Sequence, residues 1–305
     1  MPREKKKMLI LAILAILRDG TDADHRIRQA EIITRLQRDH HLSATRKSVR
    51  KNLGDLQEAG YPVVFRKGWY YEHGYTPAEM DYLLDCVSGS ALPESQRTAL
   101  LQKLTKLGGP FYEPGREIVS YKPANPQFLY TLDTLHRAVA EGRQVSFKYG
   151  NYDVDKQLHP RLNEEGKPKL YKVNPYRVST ANGRYYLICN VDKYDELCHF
   201  RVDRIMECKQ LKSALKPISK LANADEAPLT EQYVDEHPYM YTGKPKKHRI
   251  EVRRDHINDV LDWFGMNVTF EKVTEESAVA VVVADSTSVE LWLRRYREYA
   301  KPVEK

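Results

Sequence analysis

The chain has 305 residues, of which 41% are hydrophobic and 30% are charged, a balance that excludes a largely disordered protein. Its length favours two or three domains over one. The formal net charge of +7 is concentrated near the start, because residues 1–75 contain 15 Lys and Arg against 9 Asp and Glu. We therefore expect an anionic partner, nucleic acid first, at this end of the chain.

The first predicted element is an apolar run from Met8 to Leu17 behind a basic start. It imitates a signal peptide, but it is shorter than the roughly 20 residues that span a bilayer. Arg18-Asp19-Gly20 follows it, where a signal peptide would have a small-residue cleavage site. We predict a helix that is buried in a small helical domain or in a dimer contact, and no membrane partner.

The second and third helices are predicted from the spacing of their apolar residues. The stretch 28–42 places its Ile and Leu side chains on one side, as an amphipathic helix does. Ser43 is positioned to cap a third helix over 44–60, which Gly60 ends. At about 100° per residue, one buried face of this helix is formed by Val49, Leu53 and Leu56.

The cations of the third helix lie opposite or beside that buried face, and a hairpin over 61–75 turns at Lys67-Gly68. Three helices and a hairpin outline a winged helix-turn-helix, whose third helix enters a major groove about 12 Å wide. The alternative is a solvated helix with an ordinary charged face. Base contacts are expected mainly from Arg46, Lys47 and Arg50. The residues predicted to bind DNA are Ser43, Thr45, Arg46, Lys47, Arg50, Lys51, Arg66 and Lys67.

A helical region is predicted next. Thr76-Pro77-Ala78-Glu79 has the residues of a capped helix start with proline in the first turn. Further helices are predicted over 93–107 and from Asn125 to about Glu141. These helices either pack two subunits together or act as internal spacers, and the sequence leaves both alternatives open.

From Gln144 the apolar pattern changes to that of strands, with five candidates in about 65 residues separated by turn residues. Five short strands predict a small closed barrel. The end of the chain shows the order β-α-β-β-α. The predicted fold is therefore α+β and multidomain, and its regions are 1–75, 76–142, 143–210, a linker over 211–244, and 245–305.

A family resemblance rests on residues 173–205, VNPYRVSTANGRYYLICNVDKYDELCHFRVDRI. With Tyr185-Tyr186-Leu187 and the later FRVDRI, the chain resembles the bacterial WYL-domain transcriptional regulators. That family joins a winged helix-turn-helix to an Sm-like, SH3-type barrel (the WYL domain) and a C-terminal extension, so the resemblance covers essentially the whole chain. The family's Trp-Tyr-Leu is Tyr-Tyr-Leu here, which keeps the aromatic face and adds a hydroxyl.

The resemblance implies a ligand-sensing barrel that binds a nucleotide, an oligonucleotide or another anion and alters DNA binding by a homodimer. Strand alternation places Tyr185 and Tyr186 on opposite sides, so at most one of them faces a given ligand. In the alternative, Asp203 pairs with an arginine and the tyrosines fill the barrel. His199 is included among the candidates because it shares a strand side with Arg201. The candidate ligand residues are Tyr176, Arg177, Tyr185, Tyr186, His199, Arg201 and Arg204.

The leading hypothesis is a cytoplasmic, homodimeric regulator that binds double-stranded DNA under control of an anionic ligand. The alternative is an Sm-like accessory protein that binds RNA or single strands in a phage-defence or DNA-damage context. An enzyme is not expected, because no phosphate loop, H-E-x-x-H or nucleophile elbow occurs, and neither a cofactor nor a metal is predicted.

The four cysteines show neither a C-x-x-C pair nor a zinc spacing. We expect free thiols that pack as small apolar residues in a reducing cytoplasm. An extracellular disulfide pair stays open from the spacing.

Overall fold

The computed structural model describes residues 3–115, 125–194, 196–221 and 232–303, with side chains from residue 8 onward. The chain forms two compact units, Met1–Lys122 and Pro123–Lys305, so the division falls inside the predicted region 76–142. Both units mix helices with antiparallel strands. Within the described ranges no helix combines the length and the apolar character that a membrane crossing needs.

The N-terminal unit begins with three helices and a hairpin, as predicted. Their core is formed by apolar side chains from every helix, and Leu17, Leu36 and Leu53 are fully buried in it. Two further helices follow the hairpin. The elements are α1 (Arg3–Gly20), α2 (Gln29–His40), α3 (Arg46–Glu58), β1 (Val63–Phe65), β2 (Trp69–Tyr71), α4 (Pro77–Ser88) and α5 (Glu94–Thr105).

Helix α1 is only partly buried. Leu9 and Ile13 are in the core, whereas Met8 is 58% and Leu11 is 60% exposed. The expectation of burial is therefore confirmed for one side of the helix, and the opposite apolar side lies open.

The cap of α3 differs from the prediction. Thr45 has extended backbone angles and its hydroxyl oxygen accepts the Ser48 amide N–H at 3.2 Å, so Thr45 is the N-cap. Ser43 lies two residues earlier and donates to the Gln37 side-chain oxygen at 3.1 Å. Both hydroxyls suit a cap, and the chain path between α2 and α3 decided which one reaches the free amide groups. The predicted cap at Thr76 is confirmed by a reciprocal pair of hydrogen bonds with Glu79.

The first part of the C-terminal unit consists of one helix packed on an antiparallel sheet. Its elements are α6 (Phe128–Ala140), β3 (Arg143–Tyr152), β4 (Leu158–Pro160), β5 (Leu170–Ala181), β6 (Arg184–Val191), β7 (Leu197–Arg201) and β8 (Ile205–Ala214). The strand order is β8-β3-β5-β6-β7, and β4 pairs with the C-terminal end of β3. A bulge in β5 between Pro175 and Arg177 changes the direction of the residue between them.

The predicted closed barrel is wrong in one respect. Among the described residues no strand pairing joins β7 to β8, so the sheet does not close into a hydrogen-bonded ring. The reason is local: β7 is short, and a single 3-10 turn, Val202–Arg204, separates it from β8. Phe147 on β3 and Phe200 on β7 are separated by two strands in the sheet order, yet their ring centroids are 5.2 Å apart in the core.

The end of the chain has the predicted β-α-β-β-α order with one addition. The last helix stops at Arg295, and the residues after it form a short strand that pairs with β9, giving the order β10-β11-β9-β12. Trp292 is fully buried against Phe264 in this layer. The elements are α7 (Tyr233–Glu236), β9 (Lys246–Arg253), α8 (Ile257–Phe264), β10 (Thr269–Glu271), β11 (Ser277–Ala284), α9 (Ser286–Arg295) and β12 (Ala300–Pro302).

Candidate functional site

All eight residues predicted to bind DNA are exposed. Arg46, Lys47, Arg50 and Lys51 occupy one arc of α3, away from the buried Val49. The ion pairs of the three-helix core lie within α1, within α2 and in the loop between them, and no described carboxylate pairs with these four cations. Their charges therefore face solvent uncompensated, as a phosphate-binding surface requires.

The hairpin turn holds the other two predicted cations. Arg66 and Lys67 are exposed, and Lys67 has a left-handed φ of +62°. The Arg66 carbonyl accepts a hydrogen bond from Arg26 Nη1 at 3.0 Å, which ties the turn to the segment before α2. Gly68 is required there, because a Cβ would come within 2.9 Å of the Arg26 Cβ. The side chains of Arg66 and Lys67 therefore extend from a turn whose backbone is held by a hydrogen bond to Arg26.

In the C-terminal unit, the buried carboxylate of Asp203 brings two arginines together. Arg201 donates from Nε at 3.1 Å and from Nη2 at 2.7 Å, and Arg184 donates from Nη1 at 3.1 Å. The Asp203 side chain is only 4% exposed, whereas those of Arg184 and Arg201 are 20% and 25% exposed. The hydrogen bonds that Arg201 donates to Asp203 raise the pKa of Arg201, and one guanidinium edge of each arginine stays outside the pair.

Two tyrosines from β3 lie beside these residues, Tyr149 at Arg201 and Tyr152 near the Asp203 carboxylate. The Tyr149 hydroxyl oxygen accepts the Arg201 amide N–H at 3.2 Å. The Tyr152 hydroxyl is buried and has no hydrogen-bond partner among the described residues, and the Nε of Arg204 is in the same condition. Burial raises the pKa of Tyr152, so its hydroxyl stays a proton donor. We refer to Tyr149, Tyr152, Arg184, Arg201, Asp203 and Arg204 as the arginine–tyrosine cluster.

The cluster has an excess of positive charge and of hydrogen-bond donors. Three guanidinium groups stand against the single carboxylate of Asp203, and two buried donors are unsatisfied. Leaving a buried donor unpaired costs about 1–3 kcal/mol, which an acceptor oxygen from a ligand would recover. A guanidinium edge suits phosphate or carboxylate oxygens, and aromatic faces suit bases. The charge and the free donors of the cluster therefore suit an anionic group.

The paired tyrosines lie on opposite sides of β6, as strand alternation predicts. Tyr186 is the cross-strand partner of Arg201, so both project from the same face, and burial raises the pKa of Tyr186. Tyr185 is 38% exposed and meets the Phe128 ring edge-on at 5.6 Å. Tyr186 is thus the member of the pair that is placed to meet a ligand of Arg201.

Two other predicted ligand residues are already engaged by the protein. The Tyr176 hydroxyl donates to the Lys216 carbonyl at 2.8 Å, and burial raises the pKa of Tyr176 to about 12. His199 bonds the Met240 carbonyl through Nδ1 at 2.9 Å and the Tyr233 hydroxyl through Nε2 at 2.8 Å.

Arg177 is half-buried at the end of the β5 bulge. Arg204 leaves the strand pattern because β7 has ended and the 3-10 turn re-aims it.

Sequence reasoning missed three members of the cluster. Arg184 directly precedes the paired tyrosines, so its nearness to the motif was an available signal. Tyr149 and Tyr152 lie about fifty residues before Arg201 in the chain, and the pairing of β3 with β8 brings Tyr149 to Arg201 and Tyr152 near Asp203. No local pattern in the sequence marks such a contact.

Comparison with known proteins identifies one domain. Residues 130–210 match the WYL domain family, from within α6 into β8, so the chain contains a WYL domain. No curated protein matches the chain. A solved structure, proteasome accessory factor B/C (PafBC) of Arthrobacter aurescens, is similar at 13% identity with a TM-score of 0.31. The alignment covers 99% of this chain and 46% of that protein, so the chain spans less than half of its length.

Proposed function

We propose that the protein is a bacterial transcription regulator of the WYL type, in which residues 1–75 form a winged helix-turn-helix that binds duplex DNA. The observation that carries the proposal is the exposed arc of four cations on α3, unpaired with any described carboxylate, beside a braced hairpin turn. Such an arc can meet phosphates and base edges when the helix lies in a major groove.

We also propose that a ligand of the WYL domain controls DNA binding. The arginine–tyrosine cluster of the WYL domain is proposed to bind an anionic ligand, a nucleotide or an oligonucleotide. The unsatisfied Tyr152 hydroxyl and Arg204 Nε support this assignment, because both donors need an acceptor. A ligand that binds one arrangement of the protein better than another shifts the population of DNA-competent molecules.

The proposal includes a homodimer in the cytoplasm and no catalytic step. The open apolar side of α1, with Met8 and Leu11, supports a contact between two copies. Sedimentation of the full chain tests the dimer, and replacing both side chains with glutamine should shift the mass toward the monomer.

A retardation assay tests DNA binding. The full chain is titrated into duplex DNA from upstream of its own gene, alongside the charge-reversed variant Lys47→Glu/Arg50→Glu. We expect the variant to lose retardation while its circular dichroism is unchanged, because both side chains are exposed. The matched control reverses two exposed cations elsewhere in the same unit, Lys103→Glu/Lys106→Glu, and should bind like the parent. Undiminished retardation by the α3 variant would exclude the assignment.

The same assay tests the ligand and separates the alternative function. Adding a nucleotide or a short single strand should change duplex retardation by the parent and not by Arg204→Met, which removes a guanidinium that makes no described hydrogen bond through Nε. An accessory protein for single strands would instead bind them directly, show no duplex binding, and be unaffected by charge reversal on α3.

A further inference from the structure

Two cysteines face each other on neighbouring strands of the WYL domain. Cys189 on β6 and Cys198 on β7 are register partners in an antiparallel pair. Their sulfur atoms are 3.7 Å apart and within hydrogen-bonding contact. We propose that these two cysteines form a reversible disulfide on exposure to a peroxide, which makes this strand pair a redox-responsive element of the domain.

The backbone geometry allows the bond. Directly opposed residues of an antiparallel pair have Cα atoms about 4.5–5.5 Å apart, which lies within the range of roughly 4.4–6.8 Å seen for disulfides. Closing the bond requires the sulfurs to approach to about 2.05 Å. From a separation of 3.7 Å, rotation of the two side chains supplies most of that movement.

The two thiols differ in pKa and in exposure, as an attacking and a resolving cysteine must. The hydrogen bond from Cys189 lowers the pKa of Cys198, and the Val191 amide N–H adds to the effect. Cys189 is fully buried, and burial raises the pKa of its thiol. Cys198 keeps some exposure, so a peroxide can reach its sulfur first.

The reaction balances with peroxide as the only oxidant. The Cys198 thiolate attacks one peroxide oxygen, the O–O bond breaks, and after protonation one water leaves while Cys198 becomes a sulfenic acid. The Cys189 sulfur then attacks the Cys198 sulfur, the S–O bond breaks, and the hydroxyl leaves as a second water with the Cys189 proton. Two thiols and one hydrogen peroxide thus yield one disulfide and two waters.

The other cysteines lack this arrangement. Cys208 is buried alone on β8, and burial raises the pKa of its thiol to about 12, which keeps it protonated and unreactive. Cys86 is exposed on α4 in the other unit. It can react with a peroxide, but no described cysteine lies beside it as a resolving thiol. The chain therefore offers an internal control for simple surface oxidation.

Differential alkylation of the full chain tests the proposal. The reduced protein is treated with stoichiometric hydrogen peroxide, denatured in one alkylating reagent, reduced, labelled with an isotopically heavy reagent, and mapped by mass spectrometry. We expect heavy label on Cys189 and Cys198 together, in a chain that migrates as a single copy without reductant, and reversal by dithiothreitol. Light label on both after oxidation, or a sulfinic acid on Cys198 beside a light-labelled Cys189, would overturn the proposal.

Variants assign the roles of the two sulfurs. In Cys189→Ala the resolving thiol is absent, so dimedone should trap a sulfenic acid on Cys198. Cys86→Ser should leave the disulfide unchanged. If Cys189→Ala does not fold, the alkylation map of the unaltered chain still decides the outcome. The inference stands independently of DNA binding, because every readout is chemical.

Discussion

The cations of α3 and those of the arginine–tyrosine cluster differ in their exposure to solvent and in their pairing with a carboxylate. Arg46, Lys47, Arg50 and Lys51 extend into solvent without a described carboxylate partner. Arg184 and Arg201 are mostly buried and are held by one carboxylate. Exposed cations on flexible side chains suit polyanions that approach from solvent, whereas guanidinium groups held by a carboxylate suit one small group at a fixed place.

Under the proposed function, the two sets would meet their anionic partners in different ways. An exposed cation loses little stability by being free, and its attraction is screened by salt. A buried guanidinium is costly unless it is paired, so the fold must supply Asp203 before the arginines can be positioned. Substitutions in the buried set should therefore destabilise the protein far more than substitutions in the exposed set.

Replacing Asp203 should have the largest effect on stability. In Asp203→Asn two mostly buried guanidinium groups lose their countercharge, and we expect the free energy of unfolding to fall by about 3 kcal/mol. Urea denaturation measures the loss. The control is Asp133→Asn, whose partner Arg137 forms an exposed pair on α6, and it should cost less than about 0.5 kcal/mol. Equal losses in the two variants would mean that Asp203 is not a buried anchor.

Acid should destabilise the WYL domain through His199, two residues before Arg201 on β7. Burial and the charge of His237 lower the pKa of His199 to about 4, whereas the unfolded chain has the ordinary value of about 6.5. Between these values the unfolded state binds the extra proton, so stability is fully present above about pH 6.5 and falls as the pH drops to about 4. The expected loss is on the order of 3 kcal/mol.

Denaturation at pH 7 and at pH 4.5 measures this loss, and His199→Gln provides the comparison. Glutamine can bond the Met240 carbonyl and the Tyr233 hydroxyl without titrating, so the variant should lose less stability on acidification. His159, exposed beside Asp155, is the matched control, and His159→Gln should follow the parent. A parent and a His199 variant with the same pH dependence would contradict the prediction.

Removing the cap of α3 should have an intermediate effect. Thr45→Ala leaves the Ser48 amide without its acceptor, which costs about 1 kcal/mol. Ser43→Ala removes an exposed side-chain hydrogen bond to Gln37 and should change stability by less than about 0.5 kcal/mol. Thermal melts of the two variants decide between the observed cap and the one expected from sequence, since a larger loss from Ser43→Ala would favour the latter.

The smallest effect on stability is expected from the free cations. Lys51→Ala should unfold within about 0.5 kcal/mol of the parent, because the side chain is exposed and has no described ion pair. If it contacts a phosphate, the slope of log affinity against log salt for duplex DNA should decrease by about 1. Lys106→Ala on the same unit serves as the control with an unchanged slope. An unchanged slope for Lys51→Ala would remove it from the DNA surface.

The local sequence pattern was sufficient to predict the buried and exposed faces of several elements and one helix cap. The spacing of Val49, Leu53 and Leu56 predicted the buried face of α3, and its complement predicted the exposed cations, because both follow from helical geometry alone. Strand alternation likewise separated Tyr185 from Tyr186. The Thr76 cap was predictable because its partner lies three residues away.

The tertiary structure decided what depends on residues distant in sequence. The pairing of β3 with β8 brings Tyr149 to Arg201 and Tyr152 near Asp203. Packing engages His199 with Met240 and Tyr233, and register places Cys189 against Cys198. The sequence determined which residues face inward or outward along each element, since periodicity is a local property. It did not determine the shared carboxylate, the unsatisfied donors or the facing thiols, because each requires two strands that meet only after the chain has folded.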